Sequence, residues 1–306
     1  MKWKEIKIEF EAHDPDLACE LVSGLLYDFG AKGLVVEGPD DFICHGQEKE
    51  LKENPHAVIG HLSGLLEAGE RIKAIESGLA GLEKREGIKS RLFLREIDEQ
   101  DWANAWKDHF WPENIGGPFV VKPTWRDYEA APHETVIELD PGMAFGTGTH
   151  PTTSLCVDLM SRHMRKADRF LDVGTGSGIL MIVAAKLGAS GILGLDNDDI
   201  AVSVAEKNML LNHLDESLFS VGNGDLVSGV GGRFDFVAAN ILGPVVMALL
   251  DDAHRVLAKN GRFICSGFVE RDKEMILEKM RGVGFRILET KVKESWVAVC
   301  GEMSSG

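Results

Sequence analysis

The apolar positions of the chain keep two different periods, and the places where the period changes mark its elements. Ile6, Ile8 and Phe10 alternate with Lys7 and Glu9, the two-residue period of a strand with one buried face. Leu17, Leu21, Leu25 and Phe29 then recur every four residues, which predicts a helix with this row on its inner face and Gly30 as its stop. Residues 33–37 read as a second strand, 40–55 as an irregular polar loop and 57–62 as a third strand. Ile72, Ile75, Leu79 and Leu82 restore helical spacing, and 91–97 closes the unit as a strand. Strand, helix, strand, strand, helix, strand is the split βαβ order of a ferredoxin-like α+β domain, here residues 1–99. Two helices would cover one sheet face and leave the other open, either for a partner or for the rest of the chain.

Residues 100–125 read as a linker rich in aromatics. Trp102 and Trp106 are four apart and share a face of any helix there, suited to packing between domains or to ligand stacking. Residues 119–121 and 135–139 are strand-like and predict a hairpin leading into a second domain, 126–306. A helix begins near Pro151, with Leu155, Cys156, Leu159 and Met160 facing inward. Strands at 170–173, 191–195, 218–221, 234–239 and 261–266 then alternate with helices at 179–187, 200–211, 245–257 and 273–280, the pattern of a parallel sheet covered on both faces. The last two strands, 285–290 and 296–300, lie too close for a parallel crossover and predict an antiparallel addition at the edge. Seven strands with that ending fit a class I methyltransferase sheet rather than the six-stranded dinucleotide pattern.

The chemistry gathers at the carboxyl ends of these strands, where an open α/β sheet carries its ligand crevice. Residues 170–178, Phe-Leu-Asp-Val-Gly-Thr-Gly-Ser-Gly, run from a strand through a glycine turn into a helix. The next strand ends at Asp196, whose carboxylate suits both hydroxyls of a ribose. Gly174, Gly176 and Gly178 are spaced by two, so the strict dinucleotide fingerprint G-x-G-x-x-G is absent, and a nucleoside-type cofactor is indicated without choosing between classes. Asp225 follows the third strand, either at an adenine amino group or in an ordinary turn, and Asp172 either braces the glycine turn or touches the ligand. Asn240 ends the fourth strand with an amide that both donates and accepts, suited to orienting an acceptor amine. Upstream, residues 140–153 are small, polar and rich in hydroxyls; Thr149 is a possible cap, and Thr153 or a neighbour is placed to donate to a cofactor carboxylate. His150 is either a group titrating near neutrality or a structural part of this loop.

Composition narrows the class further. Over 306 residues the formal net charge is -16, which argues against nucleic-acid substrates and anionic membranes. The five cysteines, Cys19, Cys44, Cys156, Cys265 and Cys300, form no C-x-x-C pair and read as small buried hydrophobes of a reducing compartment, with no metal expected. No signal peptide and no membrane-length apolar window are visible, so a cytoplasmic enzyme is expected.

Taken together, the runs DPGMAFGTGTHPTT, LDVGTGSGIL, GLDND and ANIL, with DWANAWKDHFWP before them, resemble the bacterial ribosomal protein L11 methyltransferase family in order and approximate spacing. The resemblance covers nearly the whole chain. It departs after NIL, where Gly243 and Pro244 follow directly in place of an Ala-Gly-Pro-like turn. It implies S-adenosylmethionine as methyl donor, contacts to it from Thr153, Gly174, Asp196 and Asn240, and methylation of lysine side chains and the N-terminus of ribosomal protein L11. It further implies a first domain that holds the ribosomal target. A methyltransferase acting on another protein lysine or amine is the alternative, and a noncatalytic RNA- or protein-binding module a more distant one. An RNA-methylating reading is opposed by the net charge and by the absence of an Asn-Pro-Pro-aromatic signature at Asn240.

Overall fold

Residues 2–37, 56–63, 68–98, 110–140, 146, 148 and 150–304 are described by the computed structural model of the chain. They divide into two units, Met1–His109 and Phe110–Gly306. In the first, β1 (Lys2–Glu11), α1 (Pro15–Asp28), β2 (Lys32–Glu37), β3 (His56–Ser63), α2 (Ala68–Glu86) and β4 (Lys89–Asp98) follow the order read from the periodicity. The sheet runs β2-β3-β1-β4, every pair antiparallel. In β1, Ile6, Ile8 and Phe10 are buried with Val58 and Leu62 of β3 under Val22 and Leu26 of α1 and Ile75 and Leu79 of α2. The alternate residues Glu5, Lys7 and Glu9 stand opposite Arg95, Phe93 and Arg91 of β4. Phe93 is 47% exposed there.

One helix turns differently from its sequence pattern. The fully buried row of α1 is Ala18, Val22 and Leu26, while Leu17, Leu21, Leu25 and Phe29 are half-buried beside it. Leu25 lies against Gly78 of α2, where any Cβ would overlap its side chain. Leu25 therefore serves the helix–helix contact, while Leu26 of the adjacent row meets the sheet at Gly60. The 40–55 loop, Cys44, Trp102 and Trp106 fall outside the described residues.

The second unit opens with β5 (Glu113–Gly116), β6 (Phe119–Lys122) and β7 (Thr135–Glu138). The hairpin expected between 119–121 and 135–139 is not formed: β6 and β7 pair in parallel. The hairpin joins β5 to β6 instead, turning at Gly116 (φ 124) and Gly117 (φ 53). Residues 123–134 are long enough to carry the chain back for a parallel pairing, which a short turn is not. Trp111 is exposed in this region, and the Arg126 guanidinium stacks 3.8 Å from its ring centroid.

The large sheet follows. Its elements are α3 (Pro151–His163), β8 (Arg169–Val173), α4 (Ile179–Lys186), β9 (Gly191–Asp196), α5 (Asp199–Leu211), β10 (Phe219–Asn223), β11 (Phe234–Asn240), α6 (Gly243–Val256), β12 (Leu257–Val269), α7 (Lys273–Gly282), β13 (Phe285–Lys293) and β14 (Trp296–Met303). Its order is β10-β9-β8-β11-β12-β14-β13, parallel except for the two antiparallel pairings made by β14. Alternate residues feed two cores. Phe170, Phe236 and Ala238 pack on one face with α3 and α4, and Leu171, Val237 and Ala239 on the other with α6 and α7. Cys19, Cys156, Cys265 and Cys300 are buried, and the last three are free thiols. Burial pushes Cys156 and Cys265 far above the usual thiol range and Cys300 up to about 12, so they pack as apolar groups.

Candidate active site

The central strand β8 ends in a turn that only glycine can make. Gly174 has φ 75, and a Cβ there would overlap Ile241 Cγ2; Gly178 caps α4 at φ 81 with the Ala205 backbone pressed against it. The turn is fastened by backbone hydrogen bonds. The Gly174 and Thr175 N–H groups donate to the Leu195 carbonyl at 2.8 and 3.0 Å. The Gly176 N–H donates to Asp196 Oδ2 at 2.9 Å, and the Asp198 N–H donates to Oδ1 at 3.0 Å. Asp196 thus closes the glycine turn, and each of its oxygens keeps a second acceptor position for a ligand hydroxyl.

Asp172 lies inside β8, wholly buried, and accepts from Thr175 Oγ1 at 2.9 Å. This bond braces the turn, the first of the two roles read from sequence. Burial raises its carboxyl to about 7, the Thr175 bond opposes the rise, and the nearby Asp196 charge adds to it. Its Oδ1 has no hydrogen-bond partner among the described residues.

The carboxyl ends of five strands lie side by side here. Register pairs Asn223 with Asp196, Val173 with Leu195, Ala239 with Val173 and Asn240 with Ser266. Gly174, Asp196 and Asn240 therefore stand at one level on adjacent strands. Asn240 is half-buried, and its carboxamide bonds to no other described residue. The loop after it is held by the Ile241 N–H, which donates to the Ser266 carbonyl at 3.1 Å, and by Gly267 (φ 98), where a Cβ would overlap the Ile241 backbone. Asp225 is exposed just beyond β10, beside Gly224, whose N–H donates to the Asp196 carbonyl at 2.9 Å.

Thr153 enters from the first turn of α3. It is 1% exposed, and its Oγ1 has no partner among the described residues. A buried hydroxyl without a partner costs free energy unless a ligand meets it, which fits a donor to a cofactor carboxylate. Cys156, one helical turn on, lies close enough to the buried Asp172 for that charge to raise its thiol further, so α3 packs beside β8. The N-cap of α3 is His150: its Nδ1 accepts from the Thr152 N–H at 3.3 Å and meets Thr152 Oγ1 at 2.7 Å. Thr149, the possible cap read from sequence, falls outside the described residues. Burial, with Lys293 second, lowers His150 to about 4, and its ring meets Trp296 edge-on at 4.7 Å. His150 is thus a neutral structural group, not one that titrates near pH 7. The sequence reading passed over Ser177, Asn208 and Asn212, buried polar residues around the same turn. The signal for Asn208 was present: it interrupts the buried row of α5 formed by Ala201 and Ala205.

A sheet parallel except at its seventh strand, whose strands, numbered along the chain, lie third, second, first, fourth, fifth, seventh, sixth, with a glycine turn closed by a carboxylate at its centre, defines a methyltransferase domain. A family model for ribosomal protein L11 methyltransferase (PrmA) matches residues 2–304, and the chain belongs to this family. Among similar proteins, the ribosomal protein L11 methyltransferase of Desulfosudis oleivorans is 45% identical over 308 residues, covering 98% of each chain. That of Desulforapulum autotrophicum is 39% identical over 305 residues, covering 99% of this chain and 100% of its own. A crystal structure of ribosomal protein L11 methylase from Lactobacillus delbrueckii subsp. bulgaricus superposes with a TM-score of 0.60 at 32% identity, covering 63% of this chain and 99% of that one.

Proposed function

We propose that the chain transfers methyl groups from S-adenosylmethionine to amino groups of ribosomal protein L11, on lysine side chains and at the N-terminus. Family membership over residues 2–304 supports the acceptor. The observation that supports the chemistry is the strand edge where the Gly174 turn, Asp196 and Asn240 stand at one level, together with a buried Thr153 hydroxyl that has no partner among the described residues. Thr153 donates to the amino-acid carboxylate of the donor, Gly174 lets the ligand approach the backbone, and Asp196 accepts from the ribose hydroxyls. Asp225, exposed beyond β10, faces the adenine end. When bound, S-adenosylmethionine supplies a methyl group already activated by its sulfonium.

The remaining work of the chain is positioning. An ammonium has no lone pair, so the acceptor must lose its proton before each transfer. Asn240 then orients the neutral amine through its carboxamide oxygen, in line with the methyl group. His150, held near pKa 4, is a poor proton acceptor at neutral pH and acts as a cap. The first unit holds the protein acceptor; its open face, with Phe93 between Arg91 and Arg95, offers an apolar and charged contact surface. We place the activity in the cytoplasm, in keeping with Cys156, Cys265 and Cys300 as buried free thiols.

The test is methyl-label transfer to purified ribosomal protein L11, with mass mapping of the modified residues. Whole methyl increments on amino groups are expected; bound donor with no added mass on this protein would reject the acceptor. Asp196→Ala is expected to weaken donor binding in calorimetry about ten- to hundred-fold, the scale of hydrogen bonds to a charged group.

A further inference from the structure

We infer that Asn208 and Asn212 are positioning residues that tie the end of β7, at Glu138 and Asp140, to the glycine turn, and so set the geometry of the donor site. The inference rests on the donor-site reading above. Asn208 is 1% exposed on α5. Its Oδ1 accepts the Asp140 N–H at 3.0 Å, and its Nδ2 donates to the Ser177 carbonyl at 2.8 Å. Asn212, the C-cap of α5, accepts the Glu138 N–H at 3.1 Å and donates back to the Glu138 carbonyl at 2.7 Å. Its second amide hydrogen goes to the Asn208 carbonyl at 2.8 Å. Ser177 Oγ then donates to the Gly146 carbonyl.

A continuous run of hydrogen bonds therefore leads from the end of β7 through α5 to the glycine turn and back to Gly146. It fastens Asp140 and Gly146, two described residues that precede Thr153 in the chain. Only a carboxamide serves at position 208, because one contact needs an acceptor and the other a donor. A leucine would strand the Asp140 N–H and the Ser177 carbonyl; an aspartate would turn an oxygen toward the Ser177 carbonyl. A group that merely filled space would change global stability and leave ligand affinity, scored on folded protein, where it was. A positioning group moves donor affinity and leaves the acceptor alone.

Asn208→Asp and Ser177→Ala, singly and together, are compared in the full chain by calorimetry with S-adenosylhomocysteine and by steady-state kinetics. Each single variant is expected to lose about ten-fold in affinity, the scale of one buried hydrogen bond. The double variant should lose less than the product of the two, because both cut the same run. KM for the protein acceptor should not change. Wild-type affinity in a folded variant, fully multiplicative losses, or an equal rise in acceptor KM would each overturn the proposal. If Asn208→Asp does not fold, Ser177→Ala carries the test through the bond to Gly146. Asp196→Ala separates the two levels: if it binds as wild type, the donor-site reading fails, whereas if it alone weakens binding, only the positioning role falls.

Discussion

The two sheets differ in what covers them, and their polar residues follow. The sheet of the first unit has one face under α1 and α2 and another bearing Glu5, Lys7, Glu9, Arg91, Phe93 and Arg95. The large sheet is covered on both faces, so its strands are apolar in both directions. Among the described residues His61 is the buried polar group of the first unit; Thr152, Thr153, Asp172, Thr175, Ser177, Asn208, Asn212 and Ser266 are those of the second. A sheet sealed on both faces keeps only its ends for chemistry, and a half-covered sheet keeps a whole face for a partner.

The largest expected effect tests the seal. Phe236 is fully buried in β11, its ring 6.1 Å from Phe170 in the neighbouring strand and inclined by 30°. Phe236→Ala removes those contacts and leaves a cavity between α/β layers that cannot collapse, at a cost of about 3–5 kcal/mol. Denaturant unfolding measures it. A loss below about 1 kcal/mol would mean that this face is not closed.

The same contrast explains what could be read from the sequence. The strand–turn–helix at Gly174 and the acid at Asp196 were legible because their signals are local: glycine spacing, strand length and the residue at a strand tip. The places of Thr153 in the first turn of a helix and of Asn240 at a strand tip were legible for a similar reason, lying at element ends. The partner of β6 was not, since parallel or antiparallel pairing is decided by how residues 123–134 return rather than by the strands themselves. Nor was the buried row of α1, because two adjacent apolar rows compete and the choice belongs to α2 and the sheet. Asn208 and Asn212 were hidden most deeply. Asn208 marks itself only by breaking an apolar row; the partners that explain it and Asn212 lie 68, 31 and 74 residues away along the chain, so the bonds to them could not be read locally.

An intermediate effect compares a carboxyl sealed inside the large sheet with an imidazole at its edge. Asp172 rises from 3.8 to about 7 on folding, so the folded state holds a proton that the unfolded chain has released; this contribution to stability falls as pH rises through that window. His150 drops from 6.5 to about 4, so the unfolded chain binds the extra proton and stability rises with pH between those values. The two slopes oppose each other where the windows overlap. Relative to wild type, Asp172→Asn should become progressively more stable as pH rises from about 4 to 7, and His150→Asn progressively less stable from about 4 to 6.5. Each relative slope is bounded by about 1.4 kcal/mol per pH unit. Urea midpoints across the range measure both, and parallel curves for all three proteins would show that neither group titrates differently on folding.

The smallest effect on stability falls on the open face and is the sharper test of the comparison. Phe93 is the same residue type as Phe236, yet 47% exposed on an edge strand, opposite Lys7 and between two arginines. Truncating it removes little buried area, so Phe93→Ala should shift stability by no more than about 0.5 kcal/mol. If the open face carries the protein acceptor, KM for ribosomal protein L11 should rise while affinity for S-adenosylhomocysteine stays at the wild-type value, because the donor site belongs to the other sheet. An unchanged KM would leave this face without a part in acceptor binding. A large loss of stability would show instead that the face is covered, and the contrast between the two sheets would disappear.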